Sequence, residues 1–184
     1  YLHITWNDGR DDSARLISYY TLLGRGESIA YPNYSLSNSA TEQGNWPDVV
    51  VAPDGTLMAA YMPQVSGLPV RVSWSTNGGN TWSRTLPLPG QSGDDQELPI
   101  LQFAPQGTSS KQTAYAVWQD GDRQQILFTT ITGLPVAKAP NPVASAVRPL
   151  SASSVLVHWS PPAQHGASPF VWYDVQVTGP GSNA

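Results

Sequence analysis

Cysteine is absent from this 184-residue chain, and charge is scarce: Asp, Glu, Lys and Arg make up 12% of it, about half the usual share. Without cysteine there is no disulfide framework and no thiolate metal site. Export is not excluded, because β-sheet packing can stand in for disulfides. Nine basic residues against 13 acidic ones leave a net charge of −4, and the basic ones are scattered rather than gathered in a stripe. Nucleic acid is therefore an unsuitable partner, since its binding depends on neutralising phosphates, and an anionic membrane surface is disfavoured likewise. No apolar run approaches the ~20 residues that a spanning helix needs, so membrane insertion by a helix is not expected. Helical periodicity of 3.6 is missing over any ten residues. No phosphate loop, nucleophile elbow or dinucleotide fingerprint occurs, and no cofactor is expected.

What is present points to strands. Gly 16, Pro 17, Trp 7 and Tyr 8 accompany a 40% hydrophobic content, a mixture of turn formers and aromatics that suits many short β-strands and an all-β fold. Period-two alternation recurs at Leu2, Ile4 and Trp6; Val49 and Val51; Leu57, Ala59 and Tyr61; and Val70, Val72 and Trp74. It continues at Tyr115 with Val117, Ile126 with Phe128, and Val155, Val157 and Trp159. Each set predicts a half-buried strand whose apolar residues share the core face.

The chain also repeats itself. Ile4-Thr5-Trp6-Asn7-Asp8-Gly9-Arg10 is echoed by Ala116-Val117-Trp118-Gln119-Asp120-Gly121, with Ala59-Ala60-Tyr61 between them, at steps of 55 and 57 residues. Pro47-Asp48-Val49-Val50 aligns with Pro99-Ile100-Leu101-Gln102 at a step of 52. A period in the fifties with about four strands per unit predicts four-stranded antiparallel propeller-type blades. The units fall at residues 1–42, 43–92 and 93–133. The first is expected to lack its opening strand, with residues 1–10 acting as a second strand. The middle unit is complete, with strands near 48–52, 56–62, 69–75 and 83–88; the third has strands near 99–104, 112–119 and 124–131. Fewer than three blades do not close a ring, so the chain is expected to belong to a longer polypeptide or to assemble from copies.

Ser75-Thr76-Asn77-Gly78-Gly79-Asn80-Thr81-Trp82 is the most distinctive stretch. Asn77, Gly78 and Gly79 tolerate positive φ and reverse the chain. Ser75 and Asn77 can hydrogen-bond the loop backbone while Trp82 covers it. Written S-x-N-G-G-x-T-W, it resembles the Asp-box of the bacterial-neuraminidase (BNR) repeats of sialidase-like β-propellers, with Asn77 where that family usually has Asp. The resemblance implies a structural box made by Ser75, Asn77, Gly79 and Trp82, and a secreted or cell-surface protein.

Residues 134–141 are proline-rich and read as a semi-rigid linker. Beyond them Pro142-Val143-Ala144, then Ser154 to Pro162 with Trp159, then Tyr173-Asp174-Val175-Gln176-Val177 resemble a fibronectin type III module. That resemblance implies an incomplete immunoglobulin-like sandwich over residues 142–184, with Trp159, Pro162 and Tyr173 on the family's features.

Chemistry-bearing constellations are sparse. Sialidase-like propellers include hydrolases, whose sites by resemblance need a Tyr nucleophile beside a Glu, an Asp acid/base and three arginines. Glu97 with Tyr115, or Glu42 with Tyr61, are the pairs the sequence offers; Arg10, Arg15, Arg25, Arg71, Arg84 and Arg123 are the arginines outside the C-terminal module, and Glu27 completes the glutamates. Acidic loops at Asp8, Asp11 and Asp12, at Asp94 and Asp95, and at Asp120 and Asp122 have a cation's oxygen chemistry but no EF-hand spacing, and read as solvated turns. His3, His158 and His165 have no paired spacing, so no metal site is expected. Trp46, Tyr34 and Trp172 are candidate sugar-stacking aromatics. The resulting expectation is an exported recognition or display region that binds a glycan or protein. A sialidase-type glycoside hydrolase and a subunit that self-associates through incomplete sheets are the alternatives.

Overall fold

The computed structural model describes residues 2–10, 16–23, 29–37, 43–89, 95–105, 111–137, 145–151 and 154–159. Among them there are twelve strands and no helix: β1 (Leu2–Asp8), β2 (Ile17–Leu23), β3 (Ile29–Ser35), β4 (Gly44–Val51), β5 (Leu57–Pro63), β6 (Arg71–Ser75), β7 (Leu86–Pro87), β8 (Gln96–Phe103), β9 (Lys111–Asp120), β10 (Gln125–Pro135), β11 (Ser145–Ser151) and β12 (Ser154–Trp159). They form antiparallel sheets in the order β1-β2-β3, β4-β5-β6-β7 and β8-β9-β10, with β11 and β12 as a two-stranded sheet. Every connection within a sheet is to the next strand in sequence, as the turn-rich composition requires. At the β4–β5 turn, for example, Pro53 presets its own φ and Gly55 supplies a φ of 87°, closing Gly55 N–H onto Ala52 O at 2.8 Å.

The second sheet is covered on both faces. Leu57, Ala59 and Tyr61 on one face of β5 pack with Tyr20, Leu22 and Leu36 of the first sheet. Met58 and Ala60, on the other face of β5, join Val70 and Val72 against Leu101, Phe103, Ala114, Ala116, Trp118 and Leu134 of the third sheet. Because burying a Leu or Met side chain is worth about 1.5–3 kcal/mol, stability concentrates in β5, whose residues face a partner whichever way they point.

The first strands of successive sheets touch. Thr5 Oγ1 donates to Pro47 O at 3.3 Å and Asn7 Nδ2 donates to Asn45 Oδ1, joining β1 to β4. Asp48 Oδ2 on β4 accepts the Leu101 N–H of β8 at 2.7 Å. That bond satisfies a backbone donor on the edge of its sheet, where no further strand pairs among the described residues.

Several expectations need correction. Ile4–Arg10 echoes central strands in sequence, yet among the described residues β1 is an edge strand that pairs with β2 and lies against β4. In that position it corresponds to β4 and β8, and the doubly buried β2 corresponds to β5. Alternation on β9 has the opposite phase to the expected one: Ala114, Ala116 and Trp118 are buried, while Tyr115 is exposed. Ile126 and Phe128 on β10 likewise face outward, 71% and 62% exposed. Leu2 and Val51 are exposed as well. Alternation identifies which side chains share a face; the neighbouring sheet decides which face is buried, and here it lies on the alanine side of β9.

The proline-rich stretch expected to be a linker begins inside the sheet. After a register shift next to Gly133, Leu134 pairs with Gln112 and Pro135 with Lys111. Ala137 is then held by its N–H to Asp54 Oδ2 and Thr56 Oγ1 at 2.7 and 2.9 Å. In the C-terminal region β11 pairs with β12, placing Ser145 opposite Trp159; Pro162 and Tyr173 lie outside the described residues.

Candidate functional site

The Ser75–Trp82 turn is closed by its own side chains. Ser75 Oγ donates to Asn77 Oδ1 at 2.9 Å and accepts the Gly79 N–H at 2.9 Å. Asn77 Oδ1 also accepts the Thr81 N–H at 2.9 Å, and Asn77 Nδ2 donates to Thr81 Oγ1 at 2.8 Å. Trp82 Nε1 donates to Gly79 O at 3.2 Å. Both ends of the Asn77 amide are thus used within the turn. An Asp here would keep the acceptor but would need the Thr81 hydroxyl to donate instead.

The turn reaches into the first sheet. Tyr20, fully buried on β2, donates its hydroxyl to Gly78 O at 3.0 Å. Its ring meets Trp82 edge-on with centroids 5.0 Å apart. A Cβ on Gly79, whose φ is 90°, would lie 2.2 Å from the Tyr20 ring. His3 Nδ1 lies 2.8 Å from the same hydroxyl; since Tyr20 spends its proton on Gly78 O, the bond assigns a proton to Nδ1. Burial holds the His3 pKa below the ordinary histidine value. These residues tie two sheets together, a role the sequence reading, confined to one hairpin, did not include.

Trp46 is 43% exposed and sits at a register break of β4, with φ of 42°. Its N–H donates to Asn45 Oδ1 at 3.0 Å. The left-handed region is costly for a residue with a Cβ, about 1–3 kcal/mol, unless its surroundings enforce it. The same device recurs 52 residues later: Leu98 on β8 has φ of 50°, is 45% exposed and lies at the register break between Glu97 and Ile100. Pro47 and Pro99 follow them. Leu98 was not among the expected site residues, although the Pro47/Pro99 alignment carried the signal. Tyr34 is exposed on β3 and tilts toward Trp82 at 6.2 Å; the two candidates Tyr34 and Trp46 therefore lie on strands of different sheets, and among the described residues Tyr34 has its ring contact with Trp82. Trp172 lies outside the described residues.

Of the two Tyr–Glu pairs, the one whose members are both described, Glu97 with Tyr115, does not assemble. Tyr61 is buried between sheets at 1% exposure, and Glu42 lies outside the described residues. Tyr115 stacks on Phe128 at 5.8 Å on the outer face of the third sheet, whereas Glu97 lines a cavity at the start of β8. Arg71 lies on β6, Arg84 precedes β7 and Arg123 follows β9; Arg15, Arg25 and Glu27 are outside the described residues. Asp8 is occupied by Arg10, whose guanidinium holds the Asp8 carboxyl below its usual pKa and also lies over the Trp6 and Tyr19 rings. Asp120 Oδ1 accepts the Arg123 N–H at 3.0 Å. Among the described residues no three His, Cys, Asp or Glu side chains are placed to hold a metal; Asp11, Asp12, Asp94 and His165 lie outside them. His158 is on β12, opposite Ala146.

Gln96 is the polar residue that sequence reasoning missed. It is 1% exposed, and neither its Oε1 nor its Nε2 has a hydrogen-bonding partner among the described residues. Nothing in a lone glutamine before a strand marks it for burial. Comparison with known proteins finds no matching family model, curated protein or solved structure.

Proposed function

We propose that this chain is a recognition and display region, built on sialidase-like propeller blades and followed by a fibronectin-type module, and that it binds a glycan at an exposed extracellular surface. The observation that carries this reading is Trp46: an indole held out to solvent by a left-handed backbone residue on the first strand of its sheet. An exposed indole offers an apolar plane with an N–H on its rim, which suits the apolar face of a pyranose ring. Leu98 repeats the geometry on the neighbouring sheet. Of the two tyrosines singled out for a glycosidase, Tyr61 is buried between sheets and Tyr115 stacks on Phe128 away from Glu97, which favours recognition over turnover. Glycan-array screening followed by calorimetry tests the reading: saturable binding should fall at least tenfold in Trp46→Ala, with no hydrolysis of a fluorogenic sialoside. Binding unaffected by that substitution, or hydrolysis lost with Tyr115→Phe, would refute it.

A second reading, self-association, is favoured by the outer face of the third sheet. Ile100, Tyr115, Ile126 and Phe128 are exposed there, and the register places Ile100 and Phe128 on either side of Val117. A second copy offering the same face is its natural cover, since these apolar side chains meet their own kind on both copies.

A further inference from the structure

We propose that the outer edge of β10 takes up an extended, uncharged segment of a partner protein as the fourth strand of the third sheet, at a surface separate from Trp46. Among the described residues β10 pairs with β9 on one side and with no strand on the other. In an antiparallel ladder alternate residues point their N–H and C=O groups away from the neighbouring strand. Gln125–Ile131 pairs with β9 from Asp120 to Ala114 without a register shift, which leaves a regular row of outward donors and acceptors. These seven residues span roughly 23 Å.

The other edges of the first three sheets are closed to such pairing. β3 carries Pro32 and two register breaks, and β4 and β8 carry Pro47 and Pro99 at theirs. β7 has two residues, one of them Pro87, and β1 is bonded through Thr5 and Asn7 to β4. Proline, irregularity and brevity are the means by which sheets prevent unwanted strand addition. From Gln125 to Leu134, β10 has neither proline nor a charged residue, and its register is unbroken as far as Ile131.

The second sheet shows what the partner must look like. There the third strand, β6, is covered by β7: Leu86 pairs with Val72, and the Leu88 N–H donates to Val70 O at 2.8 Å. Leu88 is buried in the core between the second and third sheets, and Leu86 packs against it. β10 holds the same third place in its own sheet, and Leu127 and Ile131 lie half-buried at the margin of the same core. A strand added to β10 sets alternate side chains beside Leu127, Thr129 and Ile131 and extends that core. Binding desolvates those side chains, so a charge among them is costly and Val, Ile or Leu is favoured. The other row lies beside Ile126 and Phe128, both exposed, where β-branched neighbours add cross-strand contact. Main-chain bonds supply the affinity and the apolar row the selectivity. A short segment like β7 suffices, and it brings no sheet of its own to accommodate.

The test follows hydrogen exchange at the β10 amides by NMR on the full chain, at a concentration where it is monomeric. The probe is an acetylated heptapeptide of alternating valine and threonine. In the free protein, alternate amides from Ile126 to Ile131 should exchange at unprotected rates. Saturating peptide should slow them at least tenfold. A fully N-methylated version should have no effect, and one with aspartate for valine should bind at least tenfold more weakly. Trp46→Ala should leave the peptide's effect unchanged, so loss of glycan binding and loss of strand addition are read separately. Because the peptide rather than the protein is varied, the result does not depend on a variant that fails to fold. Slow exchange of all these amides in the free monomer would show the edge already paired. Protection that grows with protein concentration alone would assign the edge to a second copy. Either result, no response to the peptide, or an equal response to its N-methylated form would overturn the proposal.

Discussion

At the scale of single residues, Gly79 carries more than its turn. Its φ of 90° and the Tyr20 ring 2.2 Å from a would-be Cβ make it doubly restricted. Gly79→Ala should therefore destabilise the protein by about 2–4 kcal/mol, combining left-handed strain with overpacking; urea denaturation would read this, and a change below about 0.5 kcal/mol would contradict the docking of the turn on β2. The sequence showed the need for a flexible residue at this position. It could not show Tyr20, which is 59 residues away in the chain. His3 gives a pH signature. Burial lowers its pKa, so near and below pH ~6.5 the unfolded chain binds more protons than the folded one. The stabilisation is present above that value and is lost as pH falls through the lowered folded-state pKa. Unfolding midpoints at pH 7.5 and 5.5 should differ, and His3→Gln should shrink the difference; an equal difference in the variant would assign the effect to other groups.

At the scale of elements, the β4–β5 turn anchors the end of β10. Asp54 accepts the Thr56 N–H at 3.0 Å, the Thr56 hydroxyl at 2.9 Å and the Ala137 N–H at 2.7 Å. Thr56, with no exposed surface, also accepts from Gln112 Nε2 at 3.3 Å. Removing the carboxylate leaves buried donors unsatisfied, so Asp54→Ala should cost about 2–3 kcal/mol, with faster hydrogen exchange at Ala137 than in the native protein. Unchanged exchange there would show that β10 holds its place without the turn. The sequence placed the strands of the second and third sheets within a few residues because alternation and turn chemistry are local. It misplaced the end of β10 because Pro135 and Ala137 are fixed by a turn some 80 residues earlier in the chain.

At the scale of the whole molecule, the first three sheets form a series with two buried interfaces, and the outer face of the third keeps Ile100, Tyr115, Ile126 and Phe128 exposed. A patch of this make-up is on the order of 500 Å²; two copies face to face would bury roughly 1,000 Å², the lower end of a specific interface. Light scattering should therefore show a concentration-dependent mass that Phe128→Lys with Ile126→Lys returns to a monomer. A native protein that stays monomeric across the concentration range would rule out self-association through this face. The sequence alone determined that the chain is all-β, where its turns fall and which residues of each strand share a face, because backbone preferences and side-chain alternation act over a few residues. Tertiary structure decided which of those faces is buried, why Gly79 has no substitute and where an unpartnered Gln96 comes to lie, because each depends on a neighbouring sheet contributed by distant sequence.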